Sequence, residues 1–286
     1  PDGTMWNLGL NGRGAIVWRL APDGSLVAAD VIELPTASYI HDFSATARHL
    51  VILLQPWVHS RNTLPLSQAF EWKPDLGSKV LVIDKDDLSK RRVFELPPMG
   101  FFHVGDAWED ADGTIRFDVA AHSDMDFAAR GASEILHGVP LDEEPAELTL
   151  VVLTPDGRGR LERTGMIAEF PRSDPRRAGL ERRFCIHTTG TRKGTPLASA
   201  IGVTDWKSGR TRSFNFGSEH VTDEMVYVPK PGATAEEDAW LIGPSVNLKA
   251  GVSELHLLDL ARIEDGPVCT WRADVALPAA FHGNWV

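Results

Sequence analysis

Three histidines stand in distinctive segments, and the last of them, set between an aromatic residue and a glycine, reads best as a metal ligand. They are His41 in Ile40-His41-Asp42-Phe43-Ser44, His103 in Phe101-Phe102-His103-Val104-Gly105-Asp106, and His282 in Phe281-His282-Gly283-Asn284-Trp285. A neutral imidazole gives one ring nitrogen to a metal and keeps the other N–H for the hydrogen bond that orients it. With the chain running from 41 to 103 and on to 282, only a fold that draws remote segments to one point can use such a set. A rival arrangement is His122-Ser123-Asp124, with the His-x-Asp spacing of a two-histidine, one-carboxylate iron site that could recruit a distant residue such as His187. Its polar setting after an expected strand at 115–120 reads as a loop. His49, His59, His122, His137, His187, His220 and His256 are all expected at the surface or in loops. Gly-x-Ser-x-Gly, His-Glu-x-x-His and Gly-Lys-Ser/Thr patterns are absent, and Gly9, Gly12 and Gly14 lack dinucleotide spacing and are expected to shape a turn.

The elements that must position these residues are strands. Short runs of Val, Ile, Leu, Phe and Trp are separated by Asp23-Gly24, Asp112-Gly113 and Asp156-Gly157, which is hairpin punctuation. Residues 15–20 pair with 25–28, and 148–153 with 161–167, as hairpin arms. The run Leu50-Val51-Ile52-Leu53-Leu54 has the length of a buried strand. Short helices are expected only at 124–130 and 175–180. An all-β chain of this kind builds a propeller, a sandwich or a barrel, and the pattern alone leaves these open.

Forty acidic against 29 basic residues give a net charge of −11, which repels phosphate backbones and argues against nucleic-acid binding. No apolar run approaches the roughly 20 residues of a spanning helix, which leaves room for transient membrane contact at most. Two cysteines, Cys185 and Cys269, form no disulfide framework or metal knuckle and suit a reducing cytoplasm.

With Glu169-Phe170-Pro171-Arg172 and Val228-Pro229-Lys230-Pro231-Gly232, the three histidine segments resemble, in the same order, the carotenoid cleavage oxygenases, the family that also holds the lignostilbene dioxygenases. The resemblance implies a seven-bladed β-propeller with iron on its axis, held by four histidines. Three map onto His41, His103 and His282, and the fourth is expected a few residues upstream of Pro1. Residues 1–286 are accordingly expected to be a single propeller domain lacking its N-terminal part. Glu169, in Glu-Phe-Pro-Arg, and Glu224, before Met225-Val226-Tyr227-Val228-Pro229, resemble the family's glutamates that accept the outer N–H of ligand histidines.

The implied activity is that of a non-haem Fe(II) dioxygenase that splits an alkene with O2 into two carbonyl products. The substrate is expected to be an apolar small molecule, a carotenoid or apocarotenoid, with a phenolic stilbene as the alternative. Phe43, Phe102, Trp108 and Phe281 are candidates for an apolar tunnel wall. A different class of function, a metal-free propeller serving as a binding scaffold, gives no physical reason to keep His41, His103, His282, Glu169 and Glu224 together.

Overall fold

Each of the three Asp-Gly pairs turns the chain as expected, with Gly24, Gly113 and Gly157 at φ of 82°, 86° and 89°, a region where a Cβ is strained. The computed structural model describes residues 3–11, 13–125, 128, 137, 145–190, 198–278 and 280–285. Among the described residues, five antiparallel sheets of three to five strands follow one another along the chain, with a further two-stranded sheet beside the second. The first holds Met5–Asn11, Gly14–Leu20 and Leu26–Glu33. The second holds Ser44–Ala45, His49–Leu54, Ser78–Asp84 and Arg91–Leu96, with a side hairpin of Trp57–His59 and Phe70–Trp72. The third runs through Gly100–Glu109, Ile115–His122, Glu147–Leu153 and Gly159–Ile167. Glu169–Arg172, Phe184–Thr189, Ala200–Asp205 and Arg210–Asn215 form the fourth. The fifth comprises His220–Thr222, Val226–Pro229, Ala239–Asn247, Val252–Asp259 and Pro267–Arg272.

Both expected hairpins form, and the period of two along their strands explains how the sheets stack. In the run from Leu50 to Leu54, Val51 and Leu53 join Val80, Phe101, Phe117 and Val151 in a core shared with the third sheet. Leu50, Ile52 and Leu54 point the other way, into a core with Val17 and Ile32 of the first sheet. Trp108, Leu150 and Val152 meet Trp206 between the third and fourth sheets, and Ile186 and Val203 meet Tyr227 and Leu241 between the fourth and fifth. Strands buried on both faces read as continuous apolar runs, and successive sheets therefore pack face to face in chain order. Exposed large apolar residues remain on the first sheet, at Ile16, Leu26, Val27 and Val31, and toward the other end, at Val268, Trp271, Val275 and Leu277.

The expected helix at 124–130 falls largely outside the described residues. At 175–180 the structure has a single 3-10 turn, Pro175–Arg177, capped by Asp174, whose carboxylate accepts the Arg176 N–H. Gly9 lies within a strand and Gly14 opens the next, so neither shapes a turn; Gly12 falls outside the described residues. No helix among the described residues is long and apolar enough to cross a membrane.

His187 and His256 are not surface residues; they are 1% and 2% exposed. His187 Nδ1–H donates to the Thr188 carbonyl and Nε2 accepts from Thr204. Burial pushes the imidazoles of both His187 and His256 down to about 4. The unfolded chain therefore takes up these protons first, and stability present above pH 6.5 is lost as pH falls toward 4. For His187 alone the loss is on the order of 3 kcal/mol. Denaturant titrations at pH 7 and pH 4.5 should show it, and a His187→Gln variant should lose correspondingly less on acidification; equal losses would contradict the assignment.

Candidate metal centre

The first strands of the second, third and fourth sheets lie side by side, and His41, His103 and Glu169 sit on or beside them. His41 lies just ahead of the short strand Ser44–Ala45, and His103 is on Gly100–Glu109. Glu169 opens the first strand of the fourth sheet, Glu224 lies between the two short strands of the fifth, and His282 follows the last strand. One extra residue separates Phe101 from Val104 relative to their partners Ala121 and Val119. This bulge at Phe102-His103 re-aims the imidazole out of strict alternation. A similar irregularity separates Glu169 from Arg172, where Phe170 takes a φ of 54°; Phe281, just before His282, has 62°. Backbone strain at two bulky residues flanking one site is a mark of a functional constraint.

His41, His103 and His282 come together: each offers a ring nitrogen, and these atoms lie within 4.8 Å of one another. Adjacent ring centroids are 5.2 Å apart for His41 and His103 and 5.0 Å for His103 and His282. His103 Nδ1 lies 2.7 Å from Glu169 Oε2, and His282 Nδ1 lies 3.3 Å from Glu224 Oε1. A carboxylate only accepts, so both rings donate from Nδ1 and keep the Nε2 lone pair for another partner. His103 Nε2 is buried with no hydrogen-bond partner among the described residues. An orphaned buried acceptor beside two further imidazoles fits a metal ion, which would satisfy it.

Electrostatics follow from these pairs. Burial works to lower the His103 pKa, but the hydrogen bond and charge of Glu169 prevail and raise it. Partial burial, then the neighbouring His103 and His282, depress His41. For Glu169, burial opposes ionisation, yet hydrogen bonds from His103 and His122 hold the carboxyl down at about 2. Glu224 is likewise held low against its burial, by Arg172 first. That arginine binds it in a fork, with Nε to Oε1 at 2.6 Å and Nη2 to Oε2 at 2.7 Å, so Arg172 serves Glu224 and not Glu169.

Asp223 and Glu224 divide the work of holding the C-terminal segment: Asp223 accepts the Ala280 N–H at 2.8 Å, while Glu224 takes His282 and the Gly283 N–H. Gly243 lets this corner close, since a Cβ there would stand 2.6 Å from the Glu224 carbonyl oxygen. Asp42, missed by sequence reasoning, accepts the Val104 N–H at 3.1 Å and so ties the His41 segment to the His103 strand. Its position directly after His41 was the available signal. His122 ends a strand and does not sit in a loop, and it faces Glu169 and not a second iron site.

Of the expected aromatic wall, Phe102 meets His41 edge-on at 5.5 Å, and Phe281 lies 6.3 Å from Phe170. Phe170, unforeseen, packs on His103 at 4.7 Å and on His282 at 5.5 Å. Trp108 is instead core beneath Arg182, and Phe43 packs against the core between the first two sheets. Removing one carboxylate is a direct test of the pairing. Glu169→Ala should weaken divalent-metal affinity roughly 10- to 100-fold in competition with a chelator; unchanged affinity would contradict it.

Face-packed antiparallel sheets whose first strands gather imidazoles and their carboxylates define an all-β protein with a histidine-rich metal-type site. The family model described as RPE65, Retinal pigment epithelial membrane protein, matches residues 1–286, and the chain belongs to that family of carotenoid oxygenases. It is 26% identical to apocarotenoid-15,15'-oxygenase of Synechocystis sp., over 93% of this chain and 56% of that protein. It is 25% identical to lignostilbene-alpha,beta-dioxygenase isozyme III of Sphingomonas paucimobilis, over 99% of this chain and 62% of that one. Cobalt-substituted apocarotenoid oxygenase of Synechocystis superposes with a TM-score of 0.85 at 21% identity, covering 99% of this chain and 60% of that structure. The chain thus spans less than two thirds of the length of these relatives.

Proposed function

We propose that the protein is a non-haem Fe(II) dioxygenase that cleaves a C=C bond of a carotenoid or apocarotenoid with O2 to give two carbonyl products. The observation that carries this reading is the orphaned Nε2 of His103, held by Glu169 among the imidazoles of His41 and His282. His41, His103 and His282 would hold the iron, which would supply O2 activation next to the bound alkene. Glu169 and Glu224 keep His103 and His282 in the tautomer that leaves Nε2 unprotonated. Phe102 and Phe170 present an apolar surface beside the ligands, where they keep water away and orient the double bond.

We place residues 1–286 within a single seven-bladed propeller. The apolar residues left open on the first sheet and near Trp271 fit cover by further blades, and the resemblance expects the fourth histidine from that remaining part. The unpaired Cys185 and Cys269 fit a cytoplasmic setting. The relative named as a lignostilbene dioxygenase favours a second substrate class, phenolic stilbenes, by the same chemistry. Incubation of the iron-loaded intact protein with apocarotenals and with lignostilbenes, the products read by mass, tests both. Paired carbonyl fragments from one class are expected; an iron-loaded protein that cleaves neither would overturn the activity.

A further inference from the structure

Glu169 bridges two imidazoles, and only one of them belongs to the cluster of candidate ligands. Its Oε2 lies 2.7 Å from His103 Nδ1 and 2.9 Å from the Phe170 amide. Its Oε1 lies 3.3 Å from Nε2 of His122. His122 ends the strand beside the bulge that carries His103 and is only 6% exposed. The terminal torsion of a glutamate is broad, so two contacts at Oε2 alone let the carboxylate plane swing. A donor at Oε1 removes that freedom. The same pair stitches the third sheet to the fourth, because Glu169 stands on the first strand of the next sheet.

We propose that His122 is a positioning residue of the metal centre: it donates Nε2–H to Glu169 Oε1 and locks the carboxylate that in turn fixes the ring and tautomer of His103. The proposal rests on the metal-centre reading above and goes beyond it in giving His122, a histidine outside the ligand set, a role in metal retention. Metal affinity should depend on a donor at this position and not on the imidazole as such.

The test is Co(II) affinity of the intact protein in competition with a chelator, together with the visible absorption of bound Co(II). His122→Phe should weaken binding about tenfold and alter the absorption, the lower end of what outer hydrogen-bond partners contribute. His122→Gln, whose amide reaches Oε1, should recover affinity to within about threefold of wild type. In a Glu169→Ala background His122→Phe should cost nothing further, because the two act in series. A folded His122→Phe protein with wild-type affinity and spectrum overturns the proposal, as does a loss that persists undiminished without Glu169. If the Phe variant does not fold, His122→Asn, too short for Oε1, takes its place, and a Gln variant no better than Asn overturns it equally. Wild-type protein that binds no Co(II) would sink the metal-centre reading itself, a result distinct from wild-type binding that ignores position 122.

Discussion

His103→Ala is expected to leave a folded protein that retains no iron and turns over no substrate. The methyl group restores nothing to the Nε2 position, and it strands Glu169 without the imidazole it orients. Loss of one ligand from a set whose atoms lie within 4.8 Å of one another removes the middle member, since His103 neighbours both His41 and His282. Some stability should go with it, because Glu169 loses its strongest donor while the apolar cores stay intact and His122 and the Phe170 N–H still serve the carboxylate, so the fold is kept. Metal analysis and circular dichroism on the same sample check both halves; wild-type iron content in this variant would contradict the account.

Asp118→Ala should be the most destabilising single change, by about 3–5 kcal/mol, because it breaks a buried ion pair and leaves the other charge behind. Asp118 and Arg182 are both fully buried, with Nη2 2.5 Å and 2.6 Å from the two carboxylate oxygens. Trp206 adds a hydrogen bond from its indole N–H at 2.9 Å, and the guanidinium lies over Trp108. The pair reaches the metal site through Gly105, two residues beyond His103, where a Cβ would lie 2.1 Å from Asp118 Oδ2. Chemical denaturation of the variant measures the loss. A loss under about 1 kcal/mol, the range of an exposed pair, would show that water reaches the site.

Much of the strand order was legible because its signals are local. Asp-Gly turns, the alternating arms on either side of them and the two-faced run from Leu50 to Leu54 need only neighbouring residues to be read. The convergence of His41, His103 and His282 was legible only through their motif surroundings, since their separation in sequence carries no distance. Burial of His187 and His256 was hidden because it depends on threonine and serine hydroxyls across the sheet, which satisfy the ring nitrogens. Arg172 stood in the sequence only as the last residue of Glu-Phe-Pro-Arg, and its pairing with Glu224 across the sheet interface had no local signal. His122 looked like a loop residue because a polar Ser-Asp follows it, whereas the strand carries it two residues further, to the edge of Glu169. In each miss the deciding partner lies on another strand.

The most direct measurement is iron analysis of the intact protein joined to X-ray absorption at the iron edge. The account predicts stoichiometric iron ligated chiefly by imidazole nitrogens. A well-folded protein that takes up no iron, or iron ligated by oxygen atoms alone, would contradict it.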